Sequence, residues 1–267
     1  MFSTGTWTQA LTSIGQMPVR WLAGWWRIVE FGAVVLVLAM SPSSYRAGVG
    51  PALARHVYLD TAPILGWFTV LCALLTLVIT RIVVVTAYSY GLSQYALEMV
   101  IRVLVLELIP LTAALFVALR CTIPNGAALA EMRRLGRFDA LRRQGADPLT
   151  REVLPRVIAG VFSTITLAAL SCVVALALAY FAVYGLTTAA IAAYTRMFGH
   201  VFTSAVALIF VLKTLFFSLA VSVIPMASAL YDLEGDGSRE SAALQGLVRM
   251  FAVLLLIESV SLVGNYY

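Results

Sequence analysis

Five long apolar stretches divide the chain, with short polar segments between them. A helix that crosses a bilayer needs about 20 predominantly apolar residues. Val157 to Thr195 carries no charge at all. It is too long for one helix, so the pattern predicts a span over about 157–182 and a connection around Gly185. Thr61 to Thr80 is a second span, with a possible extension past Arg81 to Tyr88. A third runs from about Leu92 to Leu119 and holds Glu98, Arg102, Glu107 and Pro110. A fourth, Val201 to Leu230, contains Lys213 and Pro225. The fifth, Ala243 to Val263, contains Arg249 and Glu258.

The first 60 residues have a different pattern. Trp7, Leu11 and Ile14 recur at helical spacing, followed by Trp21, Leu22 and Trp25, with Arg20 and Arg27 among them. Tryptophan prefers the membrane–water boundary, so this spacing predicts an amphipathic helix lying in the interface. Phe31 to Met40 is short for a span. Joined to residues from Trp21 onward it would make a sixth, interrupted by Arg27 and Glu30. Residues 41–60 begin SPSSYRAGVGP, which predicts a turn and then a second short surface helix. The expectation is an all-α integral membrane protein of five or six spans. Residues 1–60 would be interfacial or elbow helices, 61–267 the membrane domain, and 121–155 its helical cytoplasmic segment.

Composition agrees. Hydrophobic types make up 61% of the chain and charged types 12%, and the mean hydropathy is +0.95. A soluble domain carries about twice that share of charge. The net charge of +5 does not point to nucleic acid, because the arginines cluster in one short stretch. Eight lie between Arg120 and Arg156, whereas residues 183–199 hold only Arg196. Basic loops stay in the cytoplasm, so the first segment is expected inside and the second outside. The loop 231–240 is then cytoplasmic. Five spans from a cytoplasmic N-terminus would leave Tyr266 and Tyr267 outside.

Candidate chemistry is sparse. The only lysine, Lys213 in IFVLKTLFF, follows no glycine-rich loop, so no phosphate-cradling P-loop is present. His56 and His200 stand alone, and Cys72, Cys121 and Cys172 are far apart. Neither a metal set nor a disulfide framework follows. No GxSxG nucleophile motif occurs. The informative positions are charges inside apolar runs, which cost a few kcal/mol unless they face a partner or a wet cavity. Glu98 and Arg102 can pair at i, i+4. Glu107 and Lys213 can either fix helix packing or line a polar path. Arg81, Arg249 and Glu258 lie nearer helix ends, where long side chains reach the interface. Ala127 to Leu141 has helical composition, and Gly145 and Asp147-Pro148 end it. Such a basic helix could anchor to anionic lipid or dock into a groove on a partner.

One region resembles a known family. ELIPLTAALFVALRCTIPNGAALAEMRRLGRFDALRRQGADPLTREVLPRVIAGV is similar to the signature of the MlaE/YrbE permeases, the membrane subunits of MCE-associated ABC transporters. Glu107, Leu108 and Pro110 match its E-L-G-P, and Arg120 follows. Gly126-Ala127-Ala128, Asp139-Ala140-Leu141, Gly145, Asp147-Pro148 and Pro155-Arg156 match its later pieces. Lys213 matches the lysine of the family's fourth span, and Glu258 falls near an acid in its last. Arg55 and Tyr58 resemble an R-x-x-Y before the first span. The likeness covers roughly 50–267. The chain departs at Leu106, where the family has Arg, at Ile109, where it has Gly, and at Gly136, where it has an acid. The Glu after the small-residue stretch falls at Ala128, or at Glu131 with a local shift.

The resemblance implies a permease that moves phospholipids or related lipids between the bacterial inner membrane and a periplasmic MCE-protein carrier. It implies a dimer, with an identical or an unlike permease, on a cytoplasmic ABC ATPase dimer. ATP and Mg would be bound by that ATPase, with no cofactor in this chain. Arg133, Arg134, Arg137, Asp139, Ala140, Leu141, Gly145, Asp147 and Pro148 would form the coupling helix. Glu98, Arg102, Glu107 and Lys213 would line the lipid cavity. The competing classes are a secondary transporter, which more often shows broken spans in an inverted repeat, and a structural membrane subunit, which needs no buried Glu107 or Lys213.

Overall fold

A computed structural model describes residues 5–45, 49–92, 95–231 and 239–266. The side chains of residues 1–21, 239–243 and 266 lie outside the described residues, as do residues 232–238 of the acidic loop. Trp7, Leu11 and Ile14, on which the amphipathic reading of the N-terminus rests, are among them. The described chain is almost entirely helical. The helices are α1 (Gly5–Met40), α2 (Val49–Ser89), α3 (Ala96–Val100), α4 (Ile109–Val117), α5 (Ile123–Arg134), α6 (Arg137–Arg143), α7 (Leu154–Tyr184), α8 (Ile191–Val201), α9 (Ser204–Tyr231) and α10 (Arg239–Tyr266). Among the described residues, six helices are long and apolar enough to cross a membrane: Leu22–Met40, Val49–Ser89, Ala96–Arg134, Leu149–Tyr184, Ser204–Tyr231 and Leu244–Asn265. The sixth is the segment that Arg27 and Glu30 interrupt.

Two boundaries differ from the sequence expectation. The separate surface helix expected before residue 61 is instead the first part of α2, which continues through Pro63 to Ser89. The third span does not end at Leu119. Ala96–Arg134 is one rod, and Arg120 lies inside it.

The rod and its successor contain wide turns with a common cause. Ile101–Leu108, Ala118–Thr122 and Leu149–Val153 are π-helical, and each ends two residues before a proline: Pro110, Pro124 and Pro155. A proline ring crowds the carbonyl four residues back and supplies no N–H. A turn widened to i→i+5 bonding moves that carbonyl aside. Accordingly the amides of Ile109, Ile123 and Leu154 donate to the carbonyls of Leu104, Ala118 and Leu149, each five residues back.

Packing centres on α7 and α9. The seam of α2 with α7 is the most extensive, and the two run in the same sense. Thr61 Oγ1 meets Ser163 Oγ at 2.6 Å, and Phe68 and Cys72 share a core with Leu167 and Ala168. Small residues let α9 approach its neighbours, as helix association in lipid favours. A Cβ on Gly160 would lie 2.7 Å from Ser222 Oγ and 2.9 Å from Thr122 Cγ2, and one on Gly246 would lie 2.8 Å from Ser228 Cβ. Gly160→Val is therefore expected to destabilise the fold by about 1–3 kcal/mol through overpacking. Gly66→Val is the control, since a Cβ there meets nothing within 4 Å. Thermal unfolding in detergent compares them, and equal melting temperatures would refute the close-contact argument.

Candidate functional site

Two polar clusters lie within the bundle, and a basic hairpin lies at one end. The first cluster joins three spans. Lys213 on α9 is 2% exposed and Glu107 on the rod is 8% exposed. Lys213 Nζ pairs with Glu107 Oε2, and lies 2.8 Å from Glu258 Oε2 on α10. It also donates to the Leu106 carbonyl at 3.2 Å. That acceptor is the one Pro110, four residues on, cannot bond. Asn265 Nδ2 donates to Glu107 Oε1 at 3.3 Å, and the Phe217 ring centroid lies 5.7 Å from Nζ. One ammonium is thus held by two carboxylates, a carbonyl and a ring face.

Glu98 and Arg102 do not join this cluster. They pair with each other at 3.0 Å, both partly exposed, about two helical turns away along the rod. The sequence suggested interface reach for Glu258. The structure instead brings it to Lys213, because α10 packs antiparallel along α9.

The second cluster was missed by sequence reasoning. Asp60 on α2 accepts from Asn125 Nδ2 of α5 at 2.9 Å, and the Asp60 carbonyl faces Cys121 Sγ at 3.4 Å. Arg156 on α7 holds the Glu152 carboxylate at 2.9 Å and the Glu152 carbonyl at 2.7 Å, and its other nitrogen faces Met132 Sδ. A signal was present: a lone carboxylate heading the apolar run from Thr61 needs a hydrogen-bonding partner once buried.

The hairpin lies beside this second cluster. The sequence predicts one helix over Ala127–Leu141, but the chain breaks at Gly136, which adopts φ +69°, so α5 and α6 are separate. Gly145, at φ +75°, ends α6. Asp147 then caps the returning turn: its carboxylate accepts from the Leu149 and Thr150 amides at 3.3 and 3.1 Å and from Thr150 Oγ1 at 2.7 Å. Phe138 and Pro148 are buried and anchor the hairpin, and Leu141 is half-buried. Arg133, Arg134, Arg137, Asp139, Ala140 and Gly145 belong to it; all six are exposed. Arg133 Nη1 donates to the Leu230 carbonyl at the end of α9, and Arg134 pairs with Glu131 at 2.9 Å. The result is a short basic helix held by two glycine turns between two spans.

Several apolar helices with charge buried among them, and a basic hairpin at one end, define a multi-pass membrane protein. The chain matches the family model described as Permease MlaE over residues 53–263, most of its length, and it belongs to that family. It is a permease of a lipid ABC transporter. No curated protein matches the chain.

Proposed function

We propose that this permease moves phospholipids or related lipids between the bacterial inner membrane and a periplasmic MCE-protein carrier, working as a dimer driven by a separate ATPase. The observation that carries the reading is the hairpin. Residues 135–148 form a capped, exposed, basic element between two spans, inside the region that matches the family. A rigid element of this kind can transmit nucleotide-driven closure of a partner into the bundle. Glu98, Arg102, Glu107 and Lys213 belong in this reading to the polar side of the lipid path. The test is reconstitution in liposomes with an ABC ATPase and an MCE protein. ATP-dependent lipid transfer that requires all three is expected; transfer driven by an ion gradient without ATP would favour a secondary transporter.

The same reading sets the topology. Arginine asymmetry supports a cytoplasmic location for 135–148. Arg27, Glu30 and Phe31 of α1 lie by Leu149 and Tyr231, at that same end, while Val35 and Ala39 lie by Val161 and Leu219, deeper in the bundle. We read α1 as dipping in from the cytoplasmic side and the chain as returning there before α2, which leaves five complete crossings. A cysteine at Arg137 is expected to resist membrane-impermeant maleimide in intact cells and to react after lysis. Labelling in intact cells would reverse the orientation. The native cysteines, Cys72, Cys121 and Cys172, are buried.

A further inference from the structure

Two clefts lie end to end between α1 and the α7–α9 face. The first, about 260 Å³, is bounded by Arg27, Glu30, Leu149 and Tyr231. The second, about 150 Å³, is bounded by Val35, Ala39, Val161 and Leu219. The progression has one sense along all three elements: 27 to 39 on α1, 149 to 161 on the α7 side, 231 to 219 on α9. On the wall of the second cleft α1 touches α9 at Gly32, where a Cβ would lie 3.3 Å from Val223 Cγ1. Chemistry changes from one cleft to the other. The first cleft has one cation and one anion at its mouth, three residues apart and so on one helix face. Among the described residues neither Arg27 nor Glu30 has an ion-pair or hydrogen-bond partner. The second cleft is lined by aliphatic side chains and glycine alone.

A polar cleft bearing both signs of charge, in line with an apolar one, complements one class of molecule. We propose that this groove binds a zwitterionic aminophospholipid of the cytoplasmic leaflet. Its phosphate faces the Arg27 guanidinium, its ammonium faces the Glu30 carboxylate, and one acyl chain lies past Gly32 against Val35, Val161 and Leu219. An anionic lipid such as phosphatidylglycerol would satisfy Arg27 but offer Glu30 no cation. A sterol-like or fully apolar occupant would leave both charges unmatched. Among the described side chains, the middle stretches of α2 and α10 expose no such pair: Trp67, Leu74 and Val78 on one and Val248, Leu256 and Val260 on the other are hydrocarbon or indole. The charged pair lies outside the segment that matches the family, and the assignment rests on the orientation proposed above but not on transport of lipid by the chain.

The full chain, with whatever subunits co-purify, is reconstituted in nanodiscs containing equal amounts of phosphatidylethanolamine and phosphatidylglycerol. A photoreactive amino acid replaces Val34 at the groove, or Val260 on the lipid-facing side of α10 as reference, and the lipid adducts are quantified by mass spectrometry. Phosphatidylethanolamine adducts are expected to be enriched at 34 over 260. Glu30→Gln should cut that enrichment about three- to fivefold, the scale of a partly exposed charge pair. Arg27→Gln should lower adducts of both lipids at 34. Both changes are on exposed side chains, so folding is retained. Equal lipid ratios at the two positions, preference for phosphatidylglycerol at 34, or cross-links to protein in place of lipid would each overturn the assignment.

Discussion

Lys213→Met is expected to destabilise the permease by about 3–5 kcal/mol, the cost of leaving buried carboxylates without their counter-ion. The lysine is enclosed, with Glu107, Glu258 and the Leu106 carbonyl as its partners. Methionine fills much of the same volume but donates nothing, so two acids and an orphaned carbonyl remain in a low-dielectric interior. Adding Glu107→Gln and Glu258→Gln to Lys213→Met removes both stranded charges and should restore much of the loss. Glu107→Gln alone separates structure from transport. Lys213 keeps Glu258 and the carbonyl, so melting temperature and dimer yield should stay near wild type. Lipid transfer should fall if this carboxylate serves the lipid path. Thermal unfolding of the purified chain, paired with a transfer assay, reads all four proteins. An unchanged melting curve for Lys213→Met would sink the account of the cluster as a three-span clasp.

The second large effect lies at the hairpin. Leu141→Ala with Asp147→Ala should reduce co-purifying ATPase about tenfold, the scale of losing an interface hot spot. Asp147 caps the turn entering the next span, and Leu141 of α6 is half-buried. Loss of the cap costs about 1 kcal/mol locally, too little to unfold six long helices. The permease should therefore remain in the membrane and elute at its normal size. Undiminished co-purification and ATP-dependent transfer would move the docking site elsewhere.

The spans were legible because a lipid-facing helix must be apolar nearly all round, which composition records directly. The sixth was harder, because Arg27 and Glu30 interrupt the α1 run. The break at Gly136 was hidden by helical composition on both sides; a single positive φ decides it. Glu107 and Lys213 stood out as charges in apolar runs, but their shared partner Glu258 did not, since position near a helix end is equally consistent with snorkelling. Asp60 and Asn125 are 65 residues apart and meet only because α2 and α5 flank the same end of α7. No local pattern contains that information.

The three prolines also bear on how this chain can vary in length. A π turn holds one residue more than the α turn it replaces. Deleting a single residue within Ile101–Leu108 would let that turn close to α geometry, so the helix on either side would keep its facing while the Pro110 ring is set against the Leu106 carbonyl. The same deletion in an α-helical stretch of the rod, where no wide turn absorbs it, would rotate everything on one side by about 100°. Within α4 it would displace Glu107 relative to Asn125, uncoupling the two polar clusters that the rod connects. The α-helical stretches of Ala96–Arg134 thus keep a strict count, and the π turns are where a residue can be lost. Insertions should be admitted at loops such as 185–190, single deletions at the π turns, and neither in the α-helical stretches between them.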